Sequence, residues 1–252
     1  MIIPSNIIIN ADDFGLNHTV NMAVTKCFLL NLINSTSIMT NSDGFKEAVK
    51  LCKENGFQDK IGVHVNLTSG NSLTDLSGTD FVNFKGEFIE KNVNKKYMRL
   101  SSNTKKLIQK EIEAQIDELK SCEITPSHIN THHHIHTLPS LSMIFLRVAK
   151  KFNIKIRLAQ TWNKQEFALK NYYRNFLNKI YSYNDLNFTK EFHQVNTYSE
   201  RIINNIKLKG ATEIMVHPNL NENGQIYDSY DGSFLEVELG KLGQLWKERI
   251  YR

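Results

Sequence analysis

Cysteine is scarce in this 252-residue chain: Cys27, Cys52 and Cys122 are three, an odd number, set far apart and without a C-x-x-C pair. That argues against a disulfide framework and for a reducing compartment. With no cysteine beside a histidine, a thiolate metal site is not expected either. Long hydrophobic runs are missing as well. No stretch approaches the ~18–20 apolar residues that span a bilayer, and residues 1–10 lack the basic and apolar regions of a signal peptide, so the expected location is cytoplasmic. The chain has no Gly-rich phosphate loop, no G-x-S-x-G elbow and no Cys nucleophile motif. Strong charge of one sign is absent too. The net charge is +5, and the lysines concentrated between Lys91 and Lys110 read as a solvated helix face, not as a nucleic-acid surface.

What the chain does contain is an ordinary globular composition, 40% hydrophobic and 23% charged, in a length that suits one barrel of alternating strands and helices. Ile7-Ile8-Ile9 is a β-branched apolar run of the kind buried on both faces of a parallel sheet, and it leads directly into Asn10-Ala-Asp-Asp-Phe-Gly15. Further strands are expected at residues 35–40, 60–68, 128 onward, 154–157, 192–194 and 212–217. Helices are expected at 19–31, 45–54, 105–119, 139–152, 165–183, 199–209 and 234–251. Seven strands alternating with helices make one α/β domain over residues 1–252, with a mainly parallel sheet. Residues 69–102 show little periodicity and read as a lid or insertion, and 219–233 as a polar loop. The aromatics around Tyr172 and Phe176 mark a possible homodimer face.

Five of the nine histidines fall within Ser127-His-Ile-Asn-Thr-His-His-His-Ile-His136. On a strand, His128, Asn130, His132, His134 and His136 would share one face. The competing reading is a solvated, histidine-rich loop. The other polar residues in strand-end positions decide between them. Asp12 and Asp13 follow the first strand, His64 lies near the end of the third, His132 ends the fourth and His217 the last. In a parallel barrel these ends open on one face, where active sites are built. One carboxylate and two imidazoles suit a catalytic divalent ion with open positions. A second carboxylate beside them suits a general base, and a histidine opposite suits a proton donor to the leaving group. The inventory is that of metal-assisted hydrolysis of an amide or ester.

Asn10-Ala-Asp-Asp-Phe-Gly15, Gly62-Val-His-Val-Asn-Leu-Thr68, the 128–136 histidine segment with Pro139, and Val216-His-Pro218 together resemble the YdjC-like carbohydrate deacetylases, which include the chito-oligosaccharide deacetylases. The resemblance implies a distorted (β/α) TIM-like barrel that removes the acetyl group from an N-acetylated sugar or oligosaccharide, using a divalent metal commonly assigned as Mg²⁺, with Zn²⁺ the alternative. It implies Asp13, His64 and His132 as metal ligands, Asp12 as general base and His217 as general acid or oxyanion partner. Arg157 is implied as the group that orients Asp12. Around these, Asn66, Asn130, His134 and His136 read as substrate contacts or supports for the ligands, and His133 as pointing away. The chain departs from the family pattern in carrying Asn130 where Asp is usual and Asn219 where Gly is usual. Loss of the carboxylate next to a ligand histidine is expected to weaken the metal site. That leaves a weakened metal- or sugar-binding homologue, or a hydrolase of another ester or amide, as the alternative functions.

Overall fold

The computed structural model describes residues 1–93, 99–160 and 168–249. In chain order its elements are β1 (Ile7–Phe14), α1 (His18–Leu29), β2 (Ser35–Ile38), α2 (Phe45–Glu54), β3 (Ile61–Val65), α3 (Glu90–Val93), α4 (Ser102–Ser121), β4 (His128–Thr131), α5 (Ser142–Phe152), β5 (Lys155–Ile156), α6 (Ala168–Tyr183), β6 (Glu191–Gln194), α7 (Val195–Ile203), β7 (Thr212–Val216), β8 (Pro218–Leu220), β9 (Ile226–Asp228) and α8 (Leu235–Arg249). β1 to β7 form one parallel sheet in the order β5-β4-β3-β2-β1-β7-β6. The sheet curls into a half-barrel and is the distorted TIM-like α/β fold expected from the sequence.

Alternation along β1 sets the two layers. Ile7, Ile9 and Ala11 join the apolar core with Val20, Val24 and Cys27 of α1, whereas Asn10 and Asp12 enter a polar interior. In place of the branched apolar side chains usual inside such barrels, the concave side holds hydrogen-bonded Asn10, Ser35, Ser37, His64, Asn130, Arg157 and Glu213. Helix ends are fixed by local side chains: Asn17 accepts from Val20 N to start α1, and Ser101 from Thr104 N to start α4.

Three local expectations are revised. The histidine segment is a strand only through Thr131; His132–Thr137 is a 3-10 turn in which His133 and His134 both take left-handed backbone. The 219–233 loop contains most of the β8–β9 hairpin, in which Leu220 pairs across the strands with the buried Ile226. α7 begins at Val195, earlier than expected, because its inward stripe includes Tyr198 and Ile202.

The 69–102 segment is tied down where it is described. Asn71 pairs with Glu87 and Val82 with Phe88, and the buried Glu111 carboxylate of α4 accepts from Leu73 N, Thr74 N and Thr74 Oγ1. Part of that segment, the expected start of α6 before residue 168 and the end of the last helix lie outside the described residues. Tyr172 and Phe176 are exposed on α6. Among the described residues no helix is long and apolar enough to cross a membrane.

Candidate active site

Strand alternation should send the neighbours Asp12 and Asp13 to opposite faces. A bulge prevents it. The register of β1 against β2 shifts between Ala11 and Phe14, and Asp13 adopts φ 66°, a conformation that non-glycine residues accept only at a cost. Both carboxylates therefore face one cavity. Gly15, φ 92°, completes the turn where an added Cβ would lie 2.8 Å from the Met39 carbonyl oxygen.

Asp13 Oδ1 lies 3.0 Å from His64 Nε2 and 2.8 Å from His132 Nδ1. Ligand atoms from the three residues all fall within 4.8 Å of one another. His64 Nδ1 is committed elsewhere, to Asn130 Oδ1 at 2.7 Å, with Ser37 Oγ at 3.1 Å. A neutral His64 with its proton on Nδ1 turns the Nε2 lone pair towards a carboxylate oxygen, acceptor against acceptor. A cation between them resolves that conflict, so the donor set fits a divalent ion.

Asn130 serves a different ligand from the one expected. Its amide oxygen orients His64, while its NH₂ points to Asp12 Oδ1 at 3.4 Å. A carboxylate in its place would repel Asp12. The amide joins the ligand histidine to the second aspartate.

Asp12 is gripped from the other side by Arg157, whose Nη1 and Nη2 donate to its two oxygens at 2.6 and 2.7 Å. Burial would raise the Asp12 carboxyl, but the Arg157 charge and hydrogen bonds outweigh it and hold the group well below the usual carboxylate range. The same guanidinium donates to Glu213 Oε1 of β7, at 2.9 Å from Nε and 2.7 Å from Nη2. Burial pushes Glu213 up, and Arg157 only partly offsets this. This glutamate interrupts the buried strand Thr212-Glu-Ile-Met-Val216, and its partner follows β5, far along the chain.

His217 follows β7 at the cavity wall, stacked on Tyr230 with ring centroids 5.9 Å apart. Burial disfavours its charge, yet Asp228, Asp12 and Asp13 push its pKa up to about 9.

A cavity of about 550 Å³ joins these parts, lined by Asp12, Asp13, His64, His132 and His217 with residues from the rim. Thr131, Gln160, Arg174 and Gln194 extend one wall, and Glu90 enters from the 69–102 segment. His133, expected to point away, lines the cavity: the left-handed turn lays its ring on His132, 4.0 Å between centroids, with Nδ1 3.7 Å from Glu90 Oε1. His134 also lines it, its pKa pushed down to about 3 by burial and then by Arg157. His136 and Asn66 lie outside the lining. His136 Nδ1 is 2.7 Å from Thr131 Oγ1, and Asn66 Oδ1 accepts from Thr68 N and Ser69 N in the turn after β3.

A curled parallel sheet of the barrel class thus brings Asp12, an Asp–His–His cluster and His217 to one cavity. The chain belongs to the YdjC-like protein family, whose family model matches residues 6–243. It is similar to the carbohydrate deacetylases of Halalkalibacterium halodurans (33% identity, 60% of this chain and 62% of the relative) and Clostridium beijerinckii (32%, 64% and 63%). The matched part thus spans just under two thirds of the length of these relatives. Among solved structures, a protein of Enterococcus faecalis V583 provisionally described as a cellobiose-phosphate cleavage protein shares the fold, with TM-score 0.75 at 21% identity over 96% of this chain and 94% of its own.

Proposed function

We propose that this protein is a metal-dependent hydrolase that removes the acetyl group from an N-acetylated sugar or oligosaccharide. The observation that carries the reading is that Asp12, gripped by Arg157, shares one cavity with His217 and with the Asp13, His64 and His132 cluster. The relatives named carbohydrate deacetylase support the substrate class.

Asp13, His64 and His132 would hold the ion, which when bound would polarise the amide carbonyl and acidify a water molecule. Two imidazole donors are compatible with Zn²⁺, and the family resemblance favours Mg²⁺. Asp12, kept ionised by Arg157, takes the proton of the attacking water. Arg157 prevents the carboxylate from turning, and Asn130 links its position to that of His64. His217, protonated at neutral pH, stands ready to give its proton to the departing amine nitrogen. A positioned acid or base of this kind contributes roughly 10²- to 10⁴-fold. The cavity volume falls within the usual range for small-molecule sites, about 300–1,000 Å³. His133, His134, Gln160 and Gln194 line the cavity, which supports them as contacts to the sugar.

The test is acetate release from N-acetylglucosamine oligomers with added Mg²⁺ or Zn²⁺. Asp12→Asn is expected to abolish turnover while calorimetry still detects metal binding, whereas His132→Ala loses both. Wild-type turnover in Asp12→Asn would remove Asp12 from the base role. Metal binding without release of acetate from any acetylated sugar would favour the binding-protein alternative.

A further inference from the structure

The β8–β9 hairpin places a carboxylate directly behind His217. Asp228, buried at the end of β9, accepts from the His217 backbone N–H through Oδ2 at 2.9 Å, and its Oδ1 lies 3.6 Å from His217 Nδ1. The carboxylate is itself held: Oδ1 accepts from Tyr230 N at 2.8 Å, and the Asp228 backbone N–H bonds the Ser233 carbonyl at 2.8 Å. The hairpin is registered for this, since Pro218 pairs with Asp228 and Ser229 N bonds the His217 carbonyl. Tyr230, two residues on, stacks on the imidazole.

We propose that Asp228 is the positioning residue of the acid half of the site, fixing both the backbone and the ring of His217 so that Nε2 is the nitrogen left for the substrate. The proposal rests on the deacetylase reading for its kinetic consequences, and on geometry alone for the coupling of Asp228 to the ring. The Nδ1 edge faces Asp228 at ion-pair distance, so the carboxylate favours a proton on that nitrogen and leaves the opposite nitrogen for the cavity. On the cavity side the imidazole faces Asp12 and Asp13 of β1 and His134 after β4. Behind it, Asp231 and Glu238 share with His217 and Asp228 a small cavity of about 90 Å³. Asp228 is the carboxylate of this set that is bonded to His217 through the backbone as well as facing its ring.

Asp228 escaped the sequence reading because 219–233 carries no helical or strand period strong enough to announce a hairpin. The only local signal was Asn-Glu-Asn-Gly, 221–224, a turn sequence between Leu220 and Ile226.

The test compares the wild type with Asp228→Asn and Asp228→Glu. Asparagine keeps an acceptor for the backbone N–H but removes the charge. On an N-acetylglucosamine oligomer, kcat of Asp228→Asn is expected to fall about 10- to 100-fold with KM within twofold. Hydrolysis of 4-nitrophenyl acetate, whose leaving group needs no proton, should fall less than threefold. Asp228→Glu should recover most of the lost kcat. Equal losses on both substrates, or no loss on either, would overturn the proposal. Histidine NMR titration of the metal-free proteins gives a second readout independent of turnover. The His217 resonance should titrate at least tenfold lower in proton affinity in Asp228→Asn than in wild type, and an unchanged midpoint would overturn the coupling. If wild type deacetylates no sugar, that outcome removes the substrate reading, and the NMR comparison still decides whether Asp228 controls His217.

Discussion

Arg157 and Asp12 meet through two charge-assisted hydrogen bonds, 2.6 and 2.7 Å long, although one residue immediately follows β5 and the other lies on β1, four places away in the sheet. The guanidinium is fully buried and also serves Glu213. Arg157→Met is therefore expected to leave two buried carboxylates without their cation and to cost about 3–5 kcal/mol in urea unfolding. Arg157→Lys keeps the charge but not the planar fork, so it should lose less stability while still lowering kcat at least about tenfold. Unchanged unfolding of Arg157→Met would show that the pair contributes nothing to the fold.

Stability of the metal-free protein should fall on the alkaline side of neutrality. His217 has a folded pKa of about 9, above its ordinary value of 6.5. A raised pKa stabilises the fold fully below the unfolded value, and that contribution is lost as pH rises through the folded one. The window is therefore pH 6.5 to 9, and its depth is on the order of 3 kcal/mol. Asp12 has the opposite sign: its lowered pKa stabilises above about pH 4 and is lost as pH falls below that. Chemical unfolding in a chelator across pH 6 to 10, repeated with His217→Gln, checks the alkaline limb. The variant should lack it.

Gly62→Ala should damage the barrel through one ring. A Cβ there would lie 2.5 and 2.7 Å from Nδ1 and Nε2 of His128, and that ring is stacked on Phe188 at 4.1 Å between centroids. Overpacking of this kind costs about 1–3 kcal/mol. His128→Ala alone leaves a void, but in the double variant the added methyl has room. The two losses should fall short of additivity by roughly 1 kcal/mol or more, measured as a double-mutant cycle. Strict additivity would show that the ring moves aside freely.

Glu111→Gln should loosen the segment that carries Glu90. The carboxylate accepts from Leu73 N, Thr74 N, Thr74 Oγ1 and Gln115 Nε2, and an amide would turn a donor towards some of them. Loss of hydrogen bonds to a charged group costs about 1.5–3 kcal/mol each. Hydrogen exchange at Leu73 and Thr74 should speed up, while amides of β1 and β7 keep their protection. Global acceleration would assign Glu111 to the barrel core instead.

These residues also show where the sequence was informative. Asp12, Asp13, His64, His132 and His217 could be found because polar residues closing buried apolar strands stand out, and parallel strands deliver them to one rim. Glu111 could not, since it sits in a helix where a glutamate ordinarily faces water, and the role of Glu213 could not, since its partner Arg157 lies far along the chain. The bulge at Asp13 and the left-handed pair His133–His134 were hidden for another reason. Non-glycine residues with positive φ carry no compositional mark, and only packing selects them.

The sheet does not close on itself. β5 and β6 are its two ends among the described residues, and the segment after α6 borders the gap, with Ile156 N bonded to the Leu186 carbonyl and Phe188 N to the Ile156 carbonyl. Arg157 spans the remainder: from just past β5 it reaches Asp12 on β1 and Glu213 on β7, and its guanidinium lies over the Phe192 ring of β6, 4.7 Å from the centroid. A side chain here performs the stitching that an eighth strand would otherwise provide. The protein thus has its seam and its proposed base in the same ion pair, so a substitution that relaxes one opens the other, and the common exchange of stability for activity is closed to this position.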